Sequence, residues 1–152
     1  MQIPVMNAPD LTKRPPRSPR VRLGGFTILP RILDKIRAEI AGTAGEYKYK
    51  NPLDWHFLNY TGIDPDELKQ EVARGGGDWE ILQWLRAKTT PQRMEWEIAQ
   101  WADWTANFTF HDADMREWFT EEIRRLNPAR DDIRTVFDRL DLDDYASFGG
   151  QA

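Results

Sequence analysis

The sequence predicts an all-α fold: a compact bundle of six or seven short helices with an extended N-terminal arm packed on the body. Three observations carry that expectation. Apolar residues recur at three- and four-residue spacing in segment after segment, the pattern that lines one face of a helix. Asn, Asp, Pro and Gly punctuate those segments where helices start and stop. Only residues 46–50, with Tyr47 and Tyr49, alternate in the manner of an extended segment. The length of 152 residues suits one domain, and seven Trp, seven Phe and four Tyr supply large side chains for its core.

Taken in order, residues 1–10 lack periodicity and are expected to be flexible. Residues 11–152 read as a single helical domain. Its first part, 11–26, is a basic arm in which prolines fix φ and project Arg14, Arg17 and Arg20. Val21, Leu23 and Phe26 are expected to pin that arm to the body, and Gly24-Gly25 marks a sharp bend or a close approach to the backbone. The first helix begins between Thr27 and Pro30 and ends at Gly42, with Leu29, Leu33, Ile36 and Ile40 as its buried stripe. Arg31 and Lys35 lie four apart on another face, near Asp34.

Asn51 caps a helix carrying Leu53, Phe57 and Tyr60 that stops at Gly62. Asp64, Pro65 and Glu67 form the next start signal, with Ile63 and Leu68 as a hydrophobic staple. Gly75-Gly76-Gly77 breaks that helix, and Asp78 is expected to cap another through about Lys88, with Ile81, Leu82 and Leu85 inward. A longer helix is expected from Thr90-Pro91 to about Asn107, with Met94, Ile98, Trp101, Thr105 and Phe108 on one face. Asp112 caps a helix aligning Met115, Trp118, Phe119, Ile123 and Leu126, and Asn127-Pro128 closes it. Asp131 is expected to cap the last helix, with Ile133, Val136, Phe137 and Leu140 inward. Residues 141–152 read as an acidic tail with Tyr145 and Phe148 as anchors.

Charge is distributed unevenly. The net charge is −4, yet residues 1–37 hold eight basic side chains against Asp10 and Asp34. Such polarity points either to a partner for the arm or to an arm that folds onto its own acidic body. The overall acidity, with a pI near 5.2, disfavours nucleic acid, because the other faces repel a polyanion. No stretch approaches the roughly 18 apolar residues of a membrane span, and the N-terminus shows no basic-then-apolar leader. A cytoplasmic location is the resulting expectation. With no Cys, disulfides and thiolate chemistry are absent.

The chemistry-bearing candidates lie in the arm and first helix. Guanidinium forks suit phosphate and carboxylate oxygens, and glycine N–H groups ahead of a helix add partial positive charge. Arg17, Arg20, Arg22, Gly24, Gly25, Arg31 and Lys35 are therefore the candidate ligand-binding residues. The competing reading pairs the arginines with Asp141, Asp143 and Asp144 and stitches the termini together. Recognition of an anionic small molecule or an acidic protein surface, without catalysis, is the favoured function. An enzyme acting on a phosphate- or carboxylate-bearing small molecule is the alternative. No catalytic residue or cofactor is specified, since His56 and His111 lack metal-ligand spacing and no nucleophile elbow occurs. The triple glycine lacks the Lys and Ser/Thr of a phosphate loop and reads as a hinge. Trp55, Trp96 and Trp104 lie off or beside the core stripes, where helix packing is the expected role and a partner surface the alternative.

One resemblance bears on the arm. R-P-P-R-S-P-R-V-R-L-G-G-F, then I-L-P-R-I-L-D-K and the C-terminal D-D-Y-A-S-F-G-G, resemble an uncharacterised bacterial family of small domains of unknown function. G-E-Y, P-L-D, G-I-D and W-E-I-A-Q-W extend the similarity over nearly the whole chain. The resemblance implies that the arm belongs to the domain. It brings no activity, cofactor or catalytic residue with it.

Overall fold

Helix start signals in the sequence translate into local hydrogen bonds. In the computed structural model, which describes residues 8–150, Asn51 accepts from the Asp54 N–H at 3.0 Å. Asp64 accepts from the Asp66 and Glu67 N–H groups, and Asp112 from that of Met115. Each satisfies donors that a helix N-terminus leaves open. The helices among the described residues are α1 Leu29–Ala41, α2 Pro52–Thr61, α3 Pro65–Ala73, α4 Asp78–Lys88, α5 Glu95–Ala106, α6 Ala113–Leu126 and α7 Val136–Ser147. No strand occurs among them, so the fold is all-α. The segment at 46–50 is a pair of turns with no strand. The expected flexible N-terminus falls largely outside the described residues.

The bundle is built around α1. Leu29, Ile32, Leu33 and Ile36 are fully buried and meet Phe57 and Leu58 of α2, Leu68 and Val72 of α3, Ile81, Leu82 and Leu85 of α4, and Phe137 of α7 in one core. Phe26, Phe57 and Trp101 close it with edge-on and tilted ring contacts, a geometry that aligns ring edges with ring faces. The expected one-sided stripe understates this helix. Arg31, Asp34, Lys35 and Arg37 are buried as well, so α1 is enclosed on every side from Leu29 to Ala38, whereas Ile40, expected in the stripe, is only partly buried. Charged side chains reach such depth only with partners.

Gly24-Gly25 forms the tip of a two-residue hairpin. Leu23 and Phe26 exchange both backbone hydrogen bonds at 3.0 Å, and the glycines take φ of 59° and 85°. Both signs are those required by the tight turn that matches strand twist, and glycine adopts them without a Cβ clash. The chain then enters α1 through Ile28 at φ 72°. A β-branched residue there is strained by about 1–2 kcal/mol. Full burial of its side chain and a 2.9 Å bond from its N–H to the Pro19 carbonyl hold it in place. Of the expected pins, Phe26 is buried and Leu23 packs on the core, whereas Val21 is exposed.

Several boundaries differ from expectation for identifiable reasons. Gly77, not Asp78, caps α4, because the Asp78 carboxylate is held by Arg17 and Arg37. α5 starts at Glu95 after Met94, whose N–H donates to Glu97 at 2.7 Å. The preceding residues are tied into a loop by Gln92 donating to the Arg86 and Thr89 carbonyls. Met94 is consequently exposed rather than buried. Thr135, not Asp131, caps α7 through a reciprocal bond with Asp138. The acidic residues Asp141, Asp143 and Asp144 then lie within α7.

Candidate functional site

The arm folds through successive turns, and its arginines meet carboxylates on α1, α4, α5 and α7. Arg17 donates to Asp34 at 3.0 Å and to Asp78 at 2.7 Å. Burial raises the Asp78 carboxyl, but the hydrogen bonds from Arg17 and Arg37 outweigh it and hold the group below the usual carboxylate range. Arg20 pairs with Asp141 at 3.0 Å and with Asp138, and Ser18 donates to Asp141 at 2.7 Å. Arg22 reaches Asp103 on α5 at 2.9 Å.

The two cations of α1 turn inward. Arg31 donates to both oxygens of Asp144 at 2.7 and 3.2 Å, and Tyr47 donates its hydroxyl to the same carboxylate at 2.8 Å. Burial together with the adjacent Asp144 charge pushes the Tyr47 phenol well above its ordinary range. Lys35 donates to Asp54 at 2.7 and 2.8 Å and to the Lys48 carbonyl at 3.1 Å. α1 is thus tied to the arm through Asp34, to α2 through Lys35, to α4 through Arg37 and to α7 through Arg31. Asp34 neutralises Arg17, not its neighbours in α1.

The seven candidate residues therefore do not converge on one place. Arg22, Gly24 and Gly25 line a cleft of about 640 Å³ with Arg86, Arg93 and Glu95, floored by Phe26, Ile98 and Ala99. The Arg86 guanidinium lies against Gly24, where an added Cβ would sit 3.3 Å from its Nη2. Arg93 lies over the Tyr60 ring at 4.3 Å and donates Nη2 to the Tyr60 carbonyl at 3.3 Å. Its Nε is buried without an acceptor. Neither Arg86 nor Arg93 has a carboxylate partner among the described residues, and Glu95 pairs with none of the three arginines.

A second cleft, of about 440 Å³, is lined by Arg14, Arg17 and Arg37. There Asp34 and Asp78 stand among the cations and engage two of them, so its field is largely cancelled. Arg86 and Arg93 escape sequence reasoning because one sits in the last turn of α4 and the other in an irregular loop. No spacing links either to the double glycine. Among the described residues no group of three or more His, Asp or Glu is placed to hold a metal ion. No helix among them is long and apolar enough to cross a membrane.

No curated protein matches the chain. A family model described as Domain of unknown function (DUF5069) matches residues 13–146, from within the arm to the last turn of α7, and the chain belongs to that family.

Proposed function

We propose that this domain recognises an anionic small molecule, without catalysis, in the cleft where the Gly24-Gly25 turn meets Arg86 and Arg93. One observation carries the reading. Arg17, Arg20, Arg22, Arg31, Lys35 and Arg37 are all paired with aspartates, whereas the two cleft arginines have no carboxylate partner among the described residues. A guanidinium in a concave site with no carboxylate partner favours a ligand oxyanion. The glycines let Leu82 and Ile98 pack tightly against the turn, which fixes the cleft wall in place. Arg17, Arg20 and Arg31 then serve the site indirectly, by holding the arm and its turn in a fixed path, while Lys35 ties α1 to α2. A wall already ordered in this way loses less entropy when ligand binds.

The test is thermal unfolding in phosphate or sulfate against chloride at matched ionic strength. A saturable rise in melting temperature with phosphate or sulfate is expected, set by ligand concentration over its dissociation constant. Chloride supplies only screening. Arg86→Gln/Arg93→Gln removes the saturable part while helical content stays constant. Equal responses to phosphate and chloride, or a saturable response that survives the double substitution, would refute the assignment.

A further inference from the structure

The cleft at the Gly24-Gly25 turn holds a carboxylate as well as its arginines. Glu95 lines it together with Ile98 and Ala99, three and four residues further along α5, which is the spacing of one helix face. The Glu95 side chain makes no ion pair or hydrogen bond among the described residues, because each neighbouring arginine is held by another group. Arg22 donates to Asp103 at 2.9 Å. Arg93 is pinned to Tyr60, its guanidinium 4.3 Å from the ring centroid and its Nη2 donating to the carbonyl at 3.3 Å. Arg86 lies against the Gly24 backbone and faces the Trp79 ring at 6.0 Å. Opposite charges in one cleft attract, yet these are kept from meeting by the contacts that fix the arginines.

A second acceptor stands in the same cleft. Gln92 lines it, and both of its amide hydrogens are spent on the Arg86 and Thr89 carbonyls, at 3.0 and 2.7 Å. What Gln92 offers a ligand is therefore its side-chain carbonyl oxygen. The cleft thus presents cationic donors, Arg86 and Arg93, and acceptors, Glu95 and Gln92, whose side chains do not bond one another. Ile98 and Ala99 supply apolar surface beside them. A lone inorganic anion answers only the arginines. A polyanion sets one of its charges against Glu95. A molecule with one oxyanion and one ammonium answers both sets.

Resting on the anion reading of this cleft, we propose that its ligand is a small zwitterion. Arg86 and Arg93 hold its phosphate or carboxylate, Glu95 and the Gln92 carbonyl hold its ammonium, and a short carbon skeleton lies on Ile98 and Ala99. The cleft volume of about 640 Å³ is that of a small-molecule site. Charge-assisted hydrogen bonds of both signs give such a ligand one direction in the cleft.

The experiment is calorimetric titration of the full chain near neutral pH, where an aliphatic ammonium is charged. Two matched pairs of probes differ only in that group: phosphoethanolamine against ethyl phosphate, and leucine against isocaproate. Inorganic phosphate tests the anion reading alone. In at least one pair the ammonium-bearing member should bind about three- to fivefold tighter, the range of an ion pair that water still reaches. The pair that shows it tells whether the oxyanion is a phosphate or a carboxylate. Glu95→Gln should remove the preference without weakening the ammonium-free probe. Glu117→Gln, which takes a negative charge from α6, should keep it. Circular dichroism and melting temperature show that each variant is folded. Inorganic phosphate binding through Arg86 and Arg93, with a preference below about twofold in both pairs, would overturn the zwitterion and leave the anion reading standing. A preference that survives folded Glu95→Gln would do the same. Absence of saturable binding by inorganic phosphate and by every probe would overturn both.

Discussion

Replacing Lys35 by Met tests the idea that α1 is held by paired charges rather than by burial alone. Lys35 and Asp54 are 1% and 0% exposed at their side chains, and all three ammonium donors have acceptors within 3.1 Å. Burial depresses the lysine and raises the carboxyl, and their mutual attraction opposes both shifts. Without Lys35, the buried carboxylate keeps only the Lys50 and Asn51 N–H groups. Stranding one partner of a buried pair costs about 3–5 kcal/mol. Each kcal/mol lowers the melting temperature of a chain this size by about 2–4 °C, so Lys35→Met should melt about 6–20 °C lower. Removing both charges with Lys35→Met/Asp54→Leu should recover much of that loss. What remains is chiefly the reciprocal cap of α2, about 1 kcal/mol. Urea unfolding of both variants measures the difference. A single variant within about 1 kcal/mol of the native protein, or a double variant less stable than the single one, would refute the reasoning.

Asp144→Asn strands Arg31 in the same way and weakens the Tyr47 bond, so a loss of about 3 kcal/mol is expected by denaturant unfolding. Gly24→Ala places a Cβ 2.6 Å from Leu82 Cδ1 at φ 59°. Overpacking against that buried leucine should cost about 1–3 kcal/mol, with about 1 more for the left-handed backbone, read as a lower melting temperature. Asp78 and Asp138 titrate below their unfolded range, because hydrogen bonds to arginines and backbone N–H groups outweigh burial. Their contribution is therefore present above a pH of about 4 and is lost as pH falls through the lowered folded values. The urea midpoint should drop over that acid window, and Asp78→Asn should flatten the drop.

How much of this was legible beforehand depends on the range of the interaction that decides each feature. Caps at Asn51, Asp64 and Asp112 were readable because donor and acceptor lie within three residues of one another. The apolar periodicity of α1 to α4 was readable for the same reason, and with it the all-α class. Asp78 stands at a helix start and reads as a cap, yet its carboxylate was claimed by Arg17, 61 residues away. Met115 and Trp118 have helical spacing, but spacing cannot reveal that they stay 41% and 43% exposed.

The arm shows the division most clearly. An excess of cations before residue 38 and of carboxylates after it established that the two parts attract, and Asp141 and Asp144 stood among the foreseeable partners. Which arginine meets which aspartate, and whether any cation is left over, was decided only when the helices came together. Coulomb attraction acts between whole segments and shows in composition, whereas hydrogen-bonded pairing requires atoms within about 3 Å. That distance separates Arg31, enclosed against Asp144, from Arg86, which faces an open cleft beside Gly24.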